Sequence, residues 1–147
     1  MIVYIGADHN GHQLRNQLLS YLQSAGYEVH DDGNERLDPN DDYPLFAARV
    51  VHDMQASNDP DARGILLCGS GQGIMIAANR FRGIRACLGY DRASVRAARN
   101  DDDCNVLALP ASVLQGTDAN VIVEAFLTTP FGDAPRYKRR IAELDEL

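Results

Sequence analysis

Short apolar runs and longer amphipathic stretches alternate along the whole chain, and each pair predicts a strand followed by a helix. Ile2 to Gly6 reads as a first strand. Between Gly11 and Ala25, Leu14, Leu18, Leu19 and Leu22 share one face of a helix that Gly26 ends. Tyr27 to His30 is a second, shorter strand, and the polar segment Asp31 to Asp42, with Gly33, Pro39 and Asn40, is a loop. Tyr43-Pro44 opens a helix through Gln55 with Phe46, Ala47, Val50, Val51 and Met54 inward. Gly64 to Leu67 makes a third strand, followed by a glycine turn and a helix to Arg80. Ile84 to Leu88 and Asn105 to Leu109 make strands four and five, with a short helix from Asp91 to Arg99 between them. Helices from Thr117 to Leu127 and from Pro135 to Leu144 follow.

This alternation predicts an α/β domain of three layers (αβα), a Rossmann-like parallel sheet of five strands with helices on both faces. No repeat, low-complexity tract or interior linker divides the chain, so residues 1–147 are expected to form one domain. Sheets of this kind bind ligands at the carboxyl ends of their strands. Asp8-His9, the segment Cys68 to Gly73, and Tyr90-Asp91 all fall on that edge, which points to a single site.

Composition narrows the partners. The formal net charge of −7 argues against nucleic acid or an anionic membrane, while a small anion remains open if the few cations gather locally. Met1 leads directly into a strand-like run with no basic or long apolar leader, so a cytoplasmic location is expected. Cys68, Cys87 and Cys104 are odd in number and lack CxxC spacing, which reads as reduced thiols. No HxxxH or His/carboxylate cluster suggests a metal.

The candidate chemistry centres on Cys68-Gly69-Ser70-Gly71-Gln72-Gly73. Three alternating glycines let the backbone turn sharply, and the helix start beyond them adds N–H groups and a positive dipole end. Ile74 stands where a dinucleotide fingerprint needs its third glycine, and the turn lies mid-chain, so a small phosphate or enolate cradle fits better than a dinucleotide site. A thiol at such a turn can have its pKa lowered into a useful range, whereas Cys87 and Cys104 are assigned to the core. His9 can bind phosphate or move a proton, and Asp8 can cap the following helix. His12, His30 and His52 have no partners at informative spacing. Arg136 and Arg140 lie four apart in the densest basic cluster, placed to grip one phosphate or to form a solvated, ion-paired face.

The motifs Gly6-Ala7-Asp8-His9-Asn10-Gly11, Asp42-Tyr43-Pro44, Cys68 to Gly73, Ile76-Ala77-Ala78-Asn79-Arg80, Gly83-Ile84-Arg85-Ala86 and Asn105-Val106-Leu107 together resemble the B-type ribose-5-phosphate isomerase family, which also holds galactose-6-phosphate isomerase subunits. The resemblance covers nearly the whole chain. It implies aldose–ketose isomerisation of a sugar phosphate, first of all ribose 5-phosphate, through a cis-enediolate and with neither metal nor cofactor. By the same resemblance Cys68 moves the proton between C1 and C2, Ser70 holds substrate oxygens, and N–H groups from Gly69 through Gly71, Gln72 and Gly73 to Ile74 stabilise the enediolate. His9, Arg136 and Arg140 would hold the phosphate, with Tyr43 and Asp8 lining the sugar. The family's site lies between two subunits, so a homodimer or tetramer is implied, the C-terminal helix (about 135–147) packing on the partner.

One departure stands out. Family members usually carry a ring-opening histidine and an asparagine where this chain has Asp101 and Asp102, within Arg99-Asn100-Asp101-Asp102-Asp103-Cys104. An exposed aspartate, with a pKa near 4, accepts a proton at neutral pH but seldom donates one. Three readings follow: a ribose 5-phosphate isomerase opening the ring through Asp101 or His9; an isomerase of another sugar phosphate, such as a tetrose 4-phosphate, which cannot form a furanose, or an allose or galactose 6-phosphate; or a sugar-phosphate-binding subunit that needs a different partner chain.

Overall fold

Five parallel strands carry the fold: β1 (Ile2–Ala7), β2 (Glu28–Asp31), β3 (Arg63–Cys68), β4 (Ala86–Leu88) and β5 (Val106–Pro110), in the spatial order β2-β1-β3-β5-β4. The structure is a computed structural model that describes residues 1–147. Between the strands run α1 (His12–Ser24), α2 (Tyr43–Ala56), α3 (Gln72–Ala78) and α4 (Arg92–Asp102); α5 (Gly116–Thr128) and α6 (Pro135–Asp145) follow β5. The α/β, five-stranded parallel expectation is met. No helix is long and apolar enough to cross a membrane.

Strand alternation divides the core. Val3, Ile5 and Ala7 of β1, Ile65 and Leu67 of β3, and Leu107 and Leu109 of β5 pack with Leu14, Leu18 and Leu22 of α1, Val95 of α4, and Ile122, Val123 and Phe126 of α5. Tyr4, Leu66, Cys68, Val106 and Ala108 point the other way, onto Phe46, Val50 and Met54 of α2 and Ile74 and Ala78 of α3. Burial on both faces explains why the central strands are almost continuously apolar.

The chain steps outward from β1 to β2, then returns past β1 to β3. Connections therefore diverge at the carboxyl ends of β1 and β3, the place where such sheets open a crevice. Asp8 and Gly69 are the first residues beyond those two ends.

Three boundaries differ from expectation. The fourth helix runs to Asp102 instead of stopping at Arg99, so Asp101 and Asp102 lie on its last turn. That turn is held by Arg99, whose guanidinium bonds the Asp103 carboxylate at 2.7 Å and the Cys104 carbonyl at 2.6 Å. The third helix ends at Ala78, where the Asn79 side chain bonds both the N–H and the carbonyl of Ala86. Strand four starts at Ala86 instead of Ile84 because Ile84 closes a turn onto Phe81, and the Arg85 N–H is taken by the Asn105 side chain.

Candidate active site

Cys68 ends β3, 4 % exposed, on the face covered by α2 and α3. Its carbonyl accepts from Ala111 N–H and that of Gly69 from Ser112 N–H, both at 2.9 Å, so the turn is fastened to the segment leaving β5. Ser70 is exposed, and its hydroxyl accepts from Gln72 N–H at 3.3 Å. Gly71 turns the chain into α3 with φ of +74°, a conformation side chains resist, and a Cβ there would meet Leu88 at 2.6 Å. At Gly73 a Cβ would lie 2.7 Å from the Tyr43 ring, so the first residue of α2 packs directly on the turn.

The β1 end supplies the polar wall. Asp8 is 4 % exposed, and its Oδ1 accepts from the N–H groups of Asn10 (2.9 Å) and Gly11 (3.2 Å), folding the entry into α1. Burial raises its pKa against the opposing pull of those N–H groups. His9 sits beside Asp41 of the β2–α2 loop, with Nδ1 2.9 Å from Oδ1, the same oxygen that accepts the His9 backbone N–H at 2.8 Å. The hydrogen bond to Asp41 raises the His9 pKa. On the other side of the ring, Nε2 is 3.2 Å from the Asn10 amide nitrogen, and Asn10 packs against Gly69. His9 and the glycine turn therefore border one crevice.

Asp101, Asp102, Arg136 and Arg140 are elsewhere in the protomer. The fourth helix leaves β4 at the carboxyl edge and ends at the amino edge, where Arg85 bonds the Asp102 carbonyl at 2.9 Å and pairs with Asp103 at 3.1 Å. The length of β3, about 17 Å at about 3.3 Å per residue, separates that edge from Cys68. Asp101 accepts from the Asn100 amide at 2.7 Å. This bond, a second from Tyr137, and the Arg136 and Arg140 guanidiniums hold its pKa below the usual carboxylate value. Arg136 lies over the Tyr137 ring, 4.5 Å from its centroid. One protomer thus gathers the candidate residues into two separate clusters: Asp8, His9, Tyr43 and Cys68 to Gly73 at one end, Asp101 with Arg136 and Arg140 at the other.

The remaining thiols, Cys87 and Cys104, pack in the core, whereas His30 and His52 are exposed. Contact with Cys87 and burial push the Cys104 thiol up. His30 stacks on Tyr4 at 5.0 Å, and His52 meets the Phe81 edge at 5.4 Å. A cleft of about 870 Å³ lies between the α3–β4 turn and Leu144–Leu147, at the end of the sheet remote from Cys68. Its arginines are matched there by Asp102, Asp145 and Glu146. Sequence reading missed Asp41 and Asn34, whose side chain reaches the second Asp41 oxygen at 3.2 Å. Both are polar residues of a polar loop, and nothing in their spacing marks them.

A buried thiol at a glycine turn and a carboxylate-held histidine thus meet on the carboxyl edge of a parallel sheet, where sheets of this kind bind ligands. Residues 3–144 match the family model described as Ribose/Galactose Isomerase, and the chain belongs to that family. It is 38 % identical over 146 residues to the ribose-5-phosphate isomerase B of Mycolicibacterium paratuberculosis, covering 99 % of this chain and 91 % of that one. A ribose 5-phosphate isomerase from Thermotoga maritima superposes with a TM-score of 0.93 at 40 % identity, covering 99 % and 98 % of the two chains. The ribose-5-phosphate isomerase B of Mycoplasma genitalium, solved with bound ribulose-5-phosphate, gives 0.92 at 33 % identity, covering 99 % and 94 %.

Proposed function

We propose that this chain is an aldose–ketose isomerase that interconverts ribose 5-phosphate and ribulose 5-phosphate. The observation that carries the reading is the Cys68 to Gly73 turn facing His9–Asp41, in a chain that aligns end to end with relatives bearing that name. Cys68 removes the proton from C2. The C2–H electron pair forms the C1=C2 double bond, and O1 gathers negative charge facing the backbone of Gly69, Gly71, Gln72 and Gly73. A proton passes from O2 to O1, and Cys68 returns its proton to C1. Ser70 holds the substrate hydroxyls, and Tyr43 and Asp8 wall the sugar.

The site is completed by a second copy. Arg136 and Arg140 bind the phosphate beside His9, with Asp101 and Asp102 entering alongside them from the amino-edge half-site of the partner. Two observations support this division: the two clusters lie at opposite ends of one protomer, and α6 buries none of its residues in its own chain. The assembly is a homodimer or a tetramer built from it, with α6 on the partner. The acidic balance and three unpaired thiols suit a small-molecule enzyme of the cytoplasm, needing neither nucleic acid nor membrane.

Asp101 favours a specific second reading. Held as an anion, it can take the anomeric O1 proton but cannot deliver one to a ring oxygen, and a tetrose 4-phosphate has no furanose ring to open. NMR in deuterated water with ribose 5-phosphate, ribulose 5-phosphate, erythrose 4-phosphate, allose 6-phosphate and galactose 6-phosphate separates the two. Deuterium entering C1 or C2 of the five-carbon sugars together with their interconversion supports the ribose reading; turnover confined to the tetrose replaces it. Cys68→Ala should lower kcat by about 1,000-fold or more while the sugar phosphate still binds.

A further inference from the structure

We propose that His9, held by Asp41 and Asn34, is the acid that opens the sugar ring. Asp41 and Asn34 are then positioning residues. The inference rests on the ribose 5-phosphate reading above, which leaves the acid unassigned because Asp101 enters as an anion.

Asp41 is fixed from three sides. One oxygen receives both the backbone N–H and Nδ1 of His9, at 2.8 and 2.9 Å; the other receives the Asn34 amide at 3.2 Å. The Asp41 side chain is itself only 6 % exposed. Asn34 is in turn anchored twice. Its carbonyl accepts from the buried Arg15 guanidinium at 2.8 Å and its side-chain oxygen from Arg49 at 3.3 Å. Helices α1 and α2 thus clamp the loop that orients His9.

This arrangement directs Nδ1–H into the protein and leaves Nε2 as the nitrogen that exchanges a proton. Nε2 faces the Asn10 amide, which can present oxygen to the protonated ring and nitrogen to the neutral one. Within its own chain the ionisable groups facing His9 are Asp41 from the loop and Asp8 from its own turn, and in the proposed assembly the guanidiniums of Arg136 and Arg140 of the second copy oppose them across the substrate phosphate. Both carboxylates favour the imidazolium. An imidazole held by a carboxylate that favours its protonated form suits proton donation to a ring oxygen.

The step balances as follows. Asp101 of the partner subunit takes the proton from O1, and the O1–H pair closes the C1=O1 double bond. The C1–O4 pair leaves with O4, and His9 Nε2 supplies the proton that O4 needs. The aldehyde is then free for Cys68 to act on C2.

Ribulose 5-phosphate provides the test, since a five-carbon ketose esterified on O5 has no furanose to open. In the intact oligomer, His9→Gln should lower the conversion of cyclic ribose 5-phosphate by about 100-fold or more. At saturating ribulose 5-phosphate, deuterium entry into its C1, a step that needs only Cys68, should change by less than about threefold. Asp41→Asn should move the pH at which ring opening fails to a lower value, because the carboxylate that favours the imidazolium is gone. Asn34→Ala should do the same to a smaller degree. Exchange falling in step with turnover in His9→Gln would overturn the proposal, as a phosphate-holding or purely structural role predicts. An unmoved pH profile in Asp41→Asn would also overturn it. Wild-type protein that exchanges no proton with either five-carbon sugar would instead overturn the ribose reading beneath it.

Discussion

Cys68 and His9 illustrate how differently two site residues are advertised. Cys68 precedes three alternating glycines, a local pattern that a single stretch of chain displays in full. His9 depends on Asp41, 32 residues away, and the two meet only because β1 and β2 are neighbours in the sheet. Asn34 and Asp41 look like ordinary loop residues until the fold brings them together. Arg136 was legible as one of a pair on a helix face, but its link to Asp101 through Tyr137 was not. If Arg136 grips the phosphate, Arg136→Ala should raise KM by about 10- to 100-fold with kcat changed less than about threefold. A KM that stays put would remove Arg136 from the substrate.

Secondary structure was read well wherever apolar periodicity was strong. The strands β1, β3 and β5 and helices α1, α2 and α5 were all anticipated to within a residue or two. Misreadings cluster where polar side chains decide the ends: Arg99 and Asp103 extend α4, and Asn79 and Asn105 trim α3 and β4. The β2–α2 connection hides a further polar feature. Asp32, just past β2, faces Asp53 of α2, and its buried Oδ2 has no donor partner. Burial first, then the Asp53 carboxyl, pushes the Asp32 pKa from 3.8 up to about 7. A carboxyl whose folded pKa exceeds its unfolded value favours folding at low pH, and that contribution is lost as pH rises through about 7. Asp32→Asn should therefore raise Tm at pH 8, with each kcal/mol worth about 3–4 °C at this size, and leave it nearly unchanged at pH 4. Equal shifts at both pH values would show that the two carboxyls do not share a proton.

At the scale of the molecule, the parallel sheet keeps the two clusters of proposed site residues apart. Helices carry the chain back to the amino edge, so residues at the end of α4 cannot approach residues at the end of β3 in the same protomer. That separation could not be read from spacing; it follows from topology, which the alternation of strands and helices supplied only in outline. The two-copy arrangement came from family resemblance, and the geometry gives it a physical reason. A protomer holds a thiol and a histidine at one end and the arginines proposed to grip the phosphate at the other.

Subunit complementation tests this central claim most directly. Cys68→Ala chains and Arg136→Ala/Arg140→Ala chains, each inactive alone at low ribose 5-phosphate, are unfolded together in equal amounts and allowed to reassemble. Random pairing makes half the dimers mixed, each with one site of wild-type composition, so the mixture should recover about one quarter of wild-type activity. A mixture no more active than its parents would show that both half-sites must come from one chain, and would contradict the account.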